Sequence, residues 1–267
     1  MTSAAGADGA TATPAALVVA VRRSHDRLVA LSGSLTGAQL AGRSYATEWS
    51  VAQVLSHLGS QAELFLRLLD AGLRGGEAPG RETMLPIWRR WDALSPQAQA
   101  SECAAANEGL VRRLEGLDAA QLRSFRVAAF GRELDAVGLL RSRLSEHAIH
   151  SWDIAVALDP AASVAPDSVA HLVDFLPEMA TRVGKPLQRP AVLEVKTSAP
   201  ERRFALIADG VRLEPWSGQL AEGSLELPAE ALLRLMYGRL DGPHTPPLTL
   251  SAPALTLDDL RAVFPGF

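Results

Sequence analysis

The apolar positions in the first two thirds of the chain recur with the spacing of an α-helix. Leucines, valines and alanines return every three or four residues in four long stretches, a pattern typical of helices with one buried face. Pro14, Ser50 and Pro96 stand where three of these stretches begin, and each residue favours a helix N-terminus. Four such helices with no convincing strand between them predict a helix bundle. The predicted long helices cover residues 14–31, 50–73, 95–117 and 134–158.

Other patterns occupy the gaps between the long helices and the end of the chain. Residues 72–86 are rich in glycine, proline and charge, and residues 118–133 hold only a short apolar piece, so both predict connections. A fifth helix is predicted at 166–183. After a proline-flanked linker at 185–190, apolar and polar residues alternate in short runs, which predicts strands. The chain is thus predicted to be mainly α, with a disordered tail at 1–13, a bundle at 14–185 and a small α+β unit at 190–267.

Composition narrows the possible functions. The 267 residues carry a net charge of −4, so neither nucleic acid nor an anionic membrane surface is an expected partner. No apolar run reaches the roughly 18 residues expected of a membrane span, and the first residues lack the pattern of a signal peptide. The only cysteine, Cys103, leaves no disulfide framework within the chain and favours a reducing compartment. We therefore expect a cytoplasmic protein.

The predicted fourth helix places a carboxylate and an imidazole on one face. Glu146 and His150 are four residues apart and surrounded by apolar positions, so leaving them unsatisfied would be costly. A divalent metal would satisfy them if another helix supplied a further ligand, and His57 is the candidate. Two nitrogens and one oxygen suit a catalytic zinc site with an open position. The commoner explanation of the spacing alone is a helix-surface pair beside an ordinary core histidine.

Two motifs resemble those of the mycothiol-dependent maleylpyruvate isomerase family. The run WSVAQVLSHL at 49–58 resembles its Trp-Ser/Thr-Val…His-Leu signature, and EHAIHSWD at 146–153 resembles its Glu-x-x-x-His-x-x-Asp helix. The resemblance implies a DinB-like four-helix bundle followed by a C-terminal domain similar to sterol carrier proteins. It also implies that His57, Glu146 and His150 bind a divalent metal, and that mycothiol is the second cofactor.

Other residues near these motifs have two interpretations each. Asp153, three positions after His150, could hold that histidine in place or could pair with a surface arginine. Arg239 follows a predicted helix where the family often carries Gly-Arg; it could reach the cleft and bind a carboxylate, or lie in solvent. Cys103 fits a buried, inert cysteine better than a catalytic thiol. His147 points about 100° away from its neighbour Glu146 on a helix, so it is not expected to be a ligand.

The resemblance implies a metal-dependent enzyme that uses mycothiol on a small electrophile of the unsaturated carbonyl type. Thiolate addition followed by loss after bond rotation would give isomerisation, whereas retention of the sulfur would give S-transfer. One alternative is a thiol-independent hydrolase or isomerase that uses metal-bound hydroxide at the same site. Another is a non-catalytic small-molecule-binding module. The residues assigned to the reaction are Glu146, His150, His57 and Arg239.

Overall fold

Four long helices form the N-terminal part of the chain: α1 Pro14–Ser32, α3 Val51–Arg74, α5 Pro96–Glu115 and α7 Ala136–Leu158. Helix α3 packs against α5 and α7, and α1 packs against α5 and α7. Thr13 caps α1 by accepting the amide of Ala16 at 3.3 Å, while residues 1–12, most of the predicted tail, lie outside the described residues. A short helix, α2 (Gly37–Ala41), lies between α1 and α3 in the sequence. The computed structural model describes residues 13–46, 48–187, 189–253 and 255–266.

The predicted bundle is confirmed, and its helices begin where short polar side chains cap them. Ser50 accepts the amide of Gln53 at 3.2 Å, and the Gln53 side chain accepts the Ser50 amide at 2.8 Å. This reciprocal capping satisfies backbone donors that a helix N-terminus otherwise leaves unpaired. Ser95 and Asp135 cap α5 and α7 by a single contact each, in which the side-chain oxygen accepts the amide of Ala98 or Gly138. Capping therefore fixes where α3 and α7 begin.

The prediction that residues 72–86 form a connection is wrong for the second half of that segment. Helix α4, Arg81–Asp92, begins inside it, and Pro86 lies within the helix. This proline removes one helical hydrogen bond, to the carbonyl of Glu82, but the buried side chains of Ile87 and Trp91 anchor the helix. Because proline disfavours the interior of a helix, the sequence did not predict this one, whose apolar face is stabilised by tertiary packing.

The segment 118–133 also carries structure that its sequence did not predict. A short helix, α6 (Ala119–Ser124), is followed by an antiparallel hairpin of β1 (Arg126–Ala129) and β2 (Arg132–Asp135). The hairpin turns at Phe130 and Gly131, whose φ angles are 55° and 77°. Strands of four residues are too short to show a clear alternation of apolar and polar residues, so the sequence did not predict them.

The predicted fifth helix is divided in two. Helix α8 covers Pro166–Leu172 and α9 covers Leu176–Val183, with a 3₁₀ turn at Val173–Phe175 between them. Pro177 cannot donate to the carbonyl of Val173, so a continuous α-helix would lose a hydrogen bond there. The break turns α9 toward the C-terminal sheet, where it packs against β5.

The C-terminal part is the predicted α+β unit, built on a five-stranded sheet in the order β5-β4-β3-β6-β7. Strand β3 pairs antiparallel with β4 and parallel with β6, and α10 packs on β3 and β6. The mainly α prediction is therefore confirmed. The elements are β3 Val192–Ser198, β4 Arg202–Ile207, β5 Arg212–Pro215, β6 Gly223–Pro228, α10 Ala229–Met236, β7 Thr249–Ser251 and α11 Leu257–Val263.

One apolar core runs through both parts of the chain. It joins Leu144 and Trp152 of α7 to Leu172 of α8 and Leu232 of α10, all buried. The helix-to-strand change falls between Val183 and Val192, but the division into separate domains stays a prediction. None of the described helices is long and apolar enough to cross a membrane.

Candidate metal centre

The three predicted ligands meet where α3 packs against α7. His57 comes from α3, and Glu146 and His150 stand one turn apart on α7. Oε2 of Glu146 lies 3.3 Å from Nε2 of His57 and 3.6 Å from Nε2 of His150, and one ligand atom from each residue lies within 4.8 Å of the others. Tetrahedral zinc with bonds near 2.1 Å separates its ligand atoms by about 3.4 Å. The cluster therefore has the size that a divalent metal needs.

Charge in the cluster is set by burial and by contacts between its members. Burial raises the pKa of Glu146, but hydrogen bonds with His150 and His57 outweigh it and hold that pKa well below its usual range. Burial lowers the pKa of His57, despite the nearby Glu146 carboxylate. A carboxylate and a neutral imidazole are the forms that bind metal. Two of the three residues thus already favour the state required of a ligand.

Asp153 orients His150 from behind. Its carboxylate is fully buried, and Oδ2 lies 2.8 Å from Nδ1 of His150. Burial lowers the pKa of His150, but hydrogen bonds with Asp153 and Glu146 outweigh that effect and raise it. A proton held on Nδ1 by Asp153 leaves Nε2 free to bind metal, which is how ligand histidines are commonly oriented.

Arg239 reaches this site from the C-terminal part of the chain. Its Nε and Nη2 donate to the two oxygens of Asp153 at 3.0 and 2.9 Å, and Nη1 donates to the carbonyl of Tyr237. Of the two interpretations of Arg239, solvation is wrong, because the side chain is only 13% exposed. The guanidinium forms a two-pronged contact with a carboxylate, but that carboxylate belongs to the protein. Arg239 contacts Asp153, which contacts His150, and so joins the C-terminal unit to the cluster.

A buried polar network lies behind the ligands and was not predicted from the sequence. Arg143, one turn before Glu146 on α7, donates through Nη2 to the carbonyl of Leu58 at 3.2 Å and also to Asn107 of α5. Leu58 is the residue after His57. The network therefore ties together the two helices that carry the candidate ligands. An arginine within an apolar helix gives no sign in sequence of where its charge will be satisfied.

The cluster opens into a cavity of about 640 Å³ between the bundle and the C-terminal unit. Trp49 forms one wall, its ring centre 5.1 Å from that of His57 and 6.1 Å from that of His150. In the described part of the chain, no fourth histidine, cysteine or carboxylate joins the three ligand atoms. A metal held there would keep an open position toward the cavity. Further lining residues include Tyr45, Gln61, Phe65, Phe130, Ser142, Ser145, Phe175, Arg182 and Tyr237.

Two residues assigned no metal role lie away from the cavity. Cys103 is buried on α5, and burial raises the pKa of its thiol to about 12, so it is not a thiolate near neutral pH. His147 is buried on the other side of α7, with Nδ1 2.9 Å from the hydroxyl of Ser24. The only thiol of the chain is thus unsuited to act as a nucleophile.

Comparison with known proteins places the chain in a family. The family described as the mycothiol maleylpyruvate isomerase N-terminal domain matches residues 4–155, more than half of the 267 residues. The chain belongs to this family. The expected family resemblance is therefore confirmed, and the candidate ligands all lie within the matched region.

Two solved structures share the fold. One is a mycothiol-dependent maleylpyruvate isomerase, with a TM-score of 0.63, and the other is a histidine-to-alanine mutant of such an enzyme, with a TM-score of 0.64. Each is 15% identical to this chain, and each alignment covers 85% of this chain and 90% of the other. No curated protein sequence matches significantly. The structural likeness extends over the C-terminal unit as well as the bundle.

Proposed function

We propose that this protein is a metal-dependent enzyme that uses mycothiol either to isomerise a small unsaturated carbonyl compound or to form an S-conjugate with it. The observation that carries the proposal is a three-ligand cluster that opens into a cavity large enough for both a thiol and a substrate. Family membership supports mycothiol as the thiol. The isomerisation of maleylpyruvate, named for the structural neighbours, is the first activity to test.

The proposed ligands fit a divalent metal, for which zinc is the best candidate. A bound divalent metal lowers the pKa of a coordinated thiol and so makes the nucleophilic thiolate available near neutral pH. His57, Glu146 and His150 would hold that metal, and Asp153 would keep Nε2 of His150 directed at it. Trp49 and its aromatic neighbours would exclude water and present an apolar surface to the carbon skeleton of the substrate.

The chain's own cysteine cannot substitute for an added thiol. Cys103 is 1% exposed, and its thiol has a raised pKa. Reversible addition of an external thiol to a conjugated double bond would interconvert the cis and trans forms of the substrate, and retention of the thiol would yield a conjugate. Both outcomes require a thiol in the assay, which distinguishes them from a hydrolytic reaction.

The experiment is turnover of maleylpyruvate by the zinc-loaded protein with and without mycothiol. We expect turnover only with the thiol, and little effect of Cys103→Ser. Glu146→Ala should remove most of the rate because it deletes a ligand and its negative charge. Equal turnover without any thiol would overturn the proposal, and so would the absence of turnover with maleylpyruvate and with a panel of related unsaturated carbonyl compounds.

A further inference from the structure

Arg182 is a positively charged side chain in the cavity that has no negative partner among the residues that the structure describes. It lies in the last turn of α9 and lines the same cavity as the candidate ligands. Its hydrogen-bond contact is a weak one, from Nη1 to the sulfur of Met179 at 3.9 Å. Within the described ranges, no carboxylate lies close enough to Arg182 to form an ion pair. Its guanidinium donors are therefore available to a ligand.

The second arginine of the cavity has no such freedom. All three nitrogens of Arg239 already donate, two to Asp153 and one to the carbonyl of Tyr237. Using Arg239 to bind a substrate carboxylate would leave the fully buried Asp153 with a weaker partner, at a considerable cost. Arg182 can bind an anion without breaking an ion pair.

Arg132, a basic side chain near Arg182, already has an acidic partner of its own. Burial lowers the pKa of nearby Arg132, and the positive charge of Arg182 lowers it further. Arg132 pairs with Glu178, whereas the charge of Arg182 is not neutralised by an ion pair. An unneutralised cation at the edge of a partly apolar cavity attracts anions more strongly than one in open water.

We propose that Arg182 is the side chain of this cavity that binds a carboxylate of the electrophilic substrate. This inference rests on the proposed function for the identity of the electrophile. The planar guanidinium matches a carboxylate with two parallel hydrogen bonds. Phe130 and Phe175, which line the same cavity, supply apolar surface for the carbon chain.

A binding experiment tests this role independently of turnover. Succinate is a four-carbon dicarboxylate without a double bond, so it can occupy the cavity but cannot undergo thiol addition. Calorimetry at equal zinc content would compare the wild-type protein with Arg182→Leu and Arg182→Lys. Losing a charge-assisted contact should weaken succinate binding about 10- to 100-fold in the leucine variant, and lysine should restore part of it. Dimethyl succinate has no negative charge, so the wild-type protein and both variants should bind it with about the same affinity.

Arg189→Leu is the matched control. Arg189 is another exposed arginine, paired with Asp259 at 2.8 Å and absent from the described cavity lining. Its replacement removes the same net charge from the protein, so a general electrostatic effect would appear in both variants. We expect Arg189→Leu to bind succinate like the wild type. Equal weakening in the two variants, or no succinate binding by the wild-type protein, would overturn the role of Arg182.

Kinetics separate this inference from the proposed function. In Arg182→Leu, KM for maleylpyruvate should rise about 10- to 100-fold, with KM for the thiol unchanged and a smaller effect on kcat. An unchanged KM for maleylpyruvate, or a rise in KM for the thiol alone, would overturn the inference. Succinate binding that depends on Arg182 in a protein without thiol-dependent turnover would support the inference and refute the proposed function.

Discussion

Asp153 is the residue whose replacement tests the structure of the site most sharply. Its carboxylate has no exposed area, and its oxygens contact both Arg239 and His150. The side chains of Arg239 and His150 are each 13% exposed, so water can replace little of what they would lose. Asp153→Asn keeps the size of the side chain but removes its negative charge and replaces one acceptor oxygen with a donor amide.

The expected loss has two parts. Removing one member of a buried ion pair typically costs about 3–5 kcal/mol of folding stability, because the remaining charge stays buried. Loss of the group that orients a ligand histidine typically weakens metal binding about 10- to 100-fold, or about 1.4–2.8 kcal/mol. The first part should appear in the metal-free protein. The second should appear only when metal is bound.

Urea unfolding of the metal-free protein and zinc competition with a chelator would measure these two parts. Asp174→Asn is the control, because Arg202 binds Asp174 through the same fork at 2.7 and 3.0 Å but with side chains 32% and 38% exposed. Loss of that exposed pair should lower the free energy of unfolding by only about 0–1 kcal/mol. An Asp153→Asn protein with the stability of the control variant, and zinc affinity within twofold of the wild type, would refute the reasoning.

Three further predictions concern residues outside the set of candidate ligands. Cys103→Ser should leave the thiol-dependent rate within about twofold of the wild type, measured at saturating thiol, because its buried thiol takes no part. Gly59→Ala should lower the free energy of unfolding by about 1–3 kcal/mol in urea titrations, because the added Cβ would meet the Trp91 ring at 2.1 Å; an unchanged midpoint would contradict this packing. His147 is buried with its pKa well below the usual value, so the unfolded chain binds a proton that the folded chain does not, and stability falls as pH drops through about 6.5. Between pH 7.5 and 5.5, the free energy of unfolding should fall by about 1.4 kcal/mol more in the wild type than in His147→Asn. Free energies of unfolding that change equally with pH in the two proteins would refute this.

The bundle and the ligands could be predicted because each leaves a local signal. Helical spacing marked the four long helices, and Ser50 marked the start of α3 through its cap. The separation of Glu146 and His150 by one helical turn showed that they share a face. His57 was the candidate on a second predicted helix, and the resemblance to a known family implied the same residue. It lies far from both in sequence but near them in space.

Long-range contacts could not be predicted in this way. The sequence gives no sign that Arg239 donates to Asp153 across 86 positions, or that Arg143 satisfies the carbonyl beside His57. Arg182 was missed for the same reason, since one arginine in an amphipathic helix resembles any other. Such contacts depend on how α7, α9 and the C-terminal unit pack, which periodicity does not encode.

We propose that His57, Glu146 and His150 bind one divalent metal. Elemental analysis of protein purified after zinc loading and desalting tests it most directly, with His57→Ala beside the wild type and His171→Ala as a control outside the cluster. We expect about one zinc per chain in the wild type and in His171→Ala, and almost none in His57→Ala, because two remaining ligands seldom retain zinc. A full equivalent of zinc in His57→Ala, or none in the wild-type protein, would contradict the account.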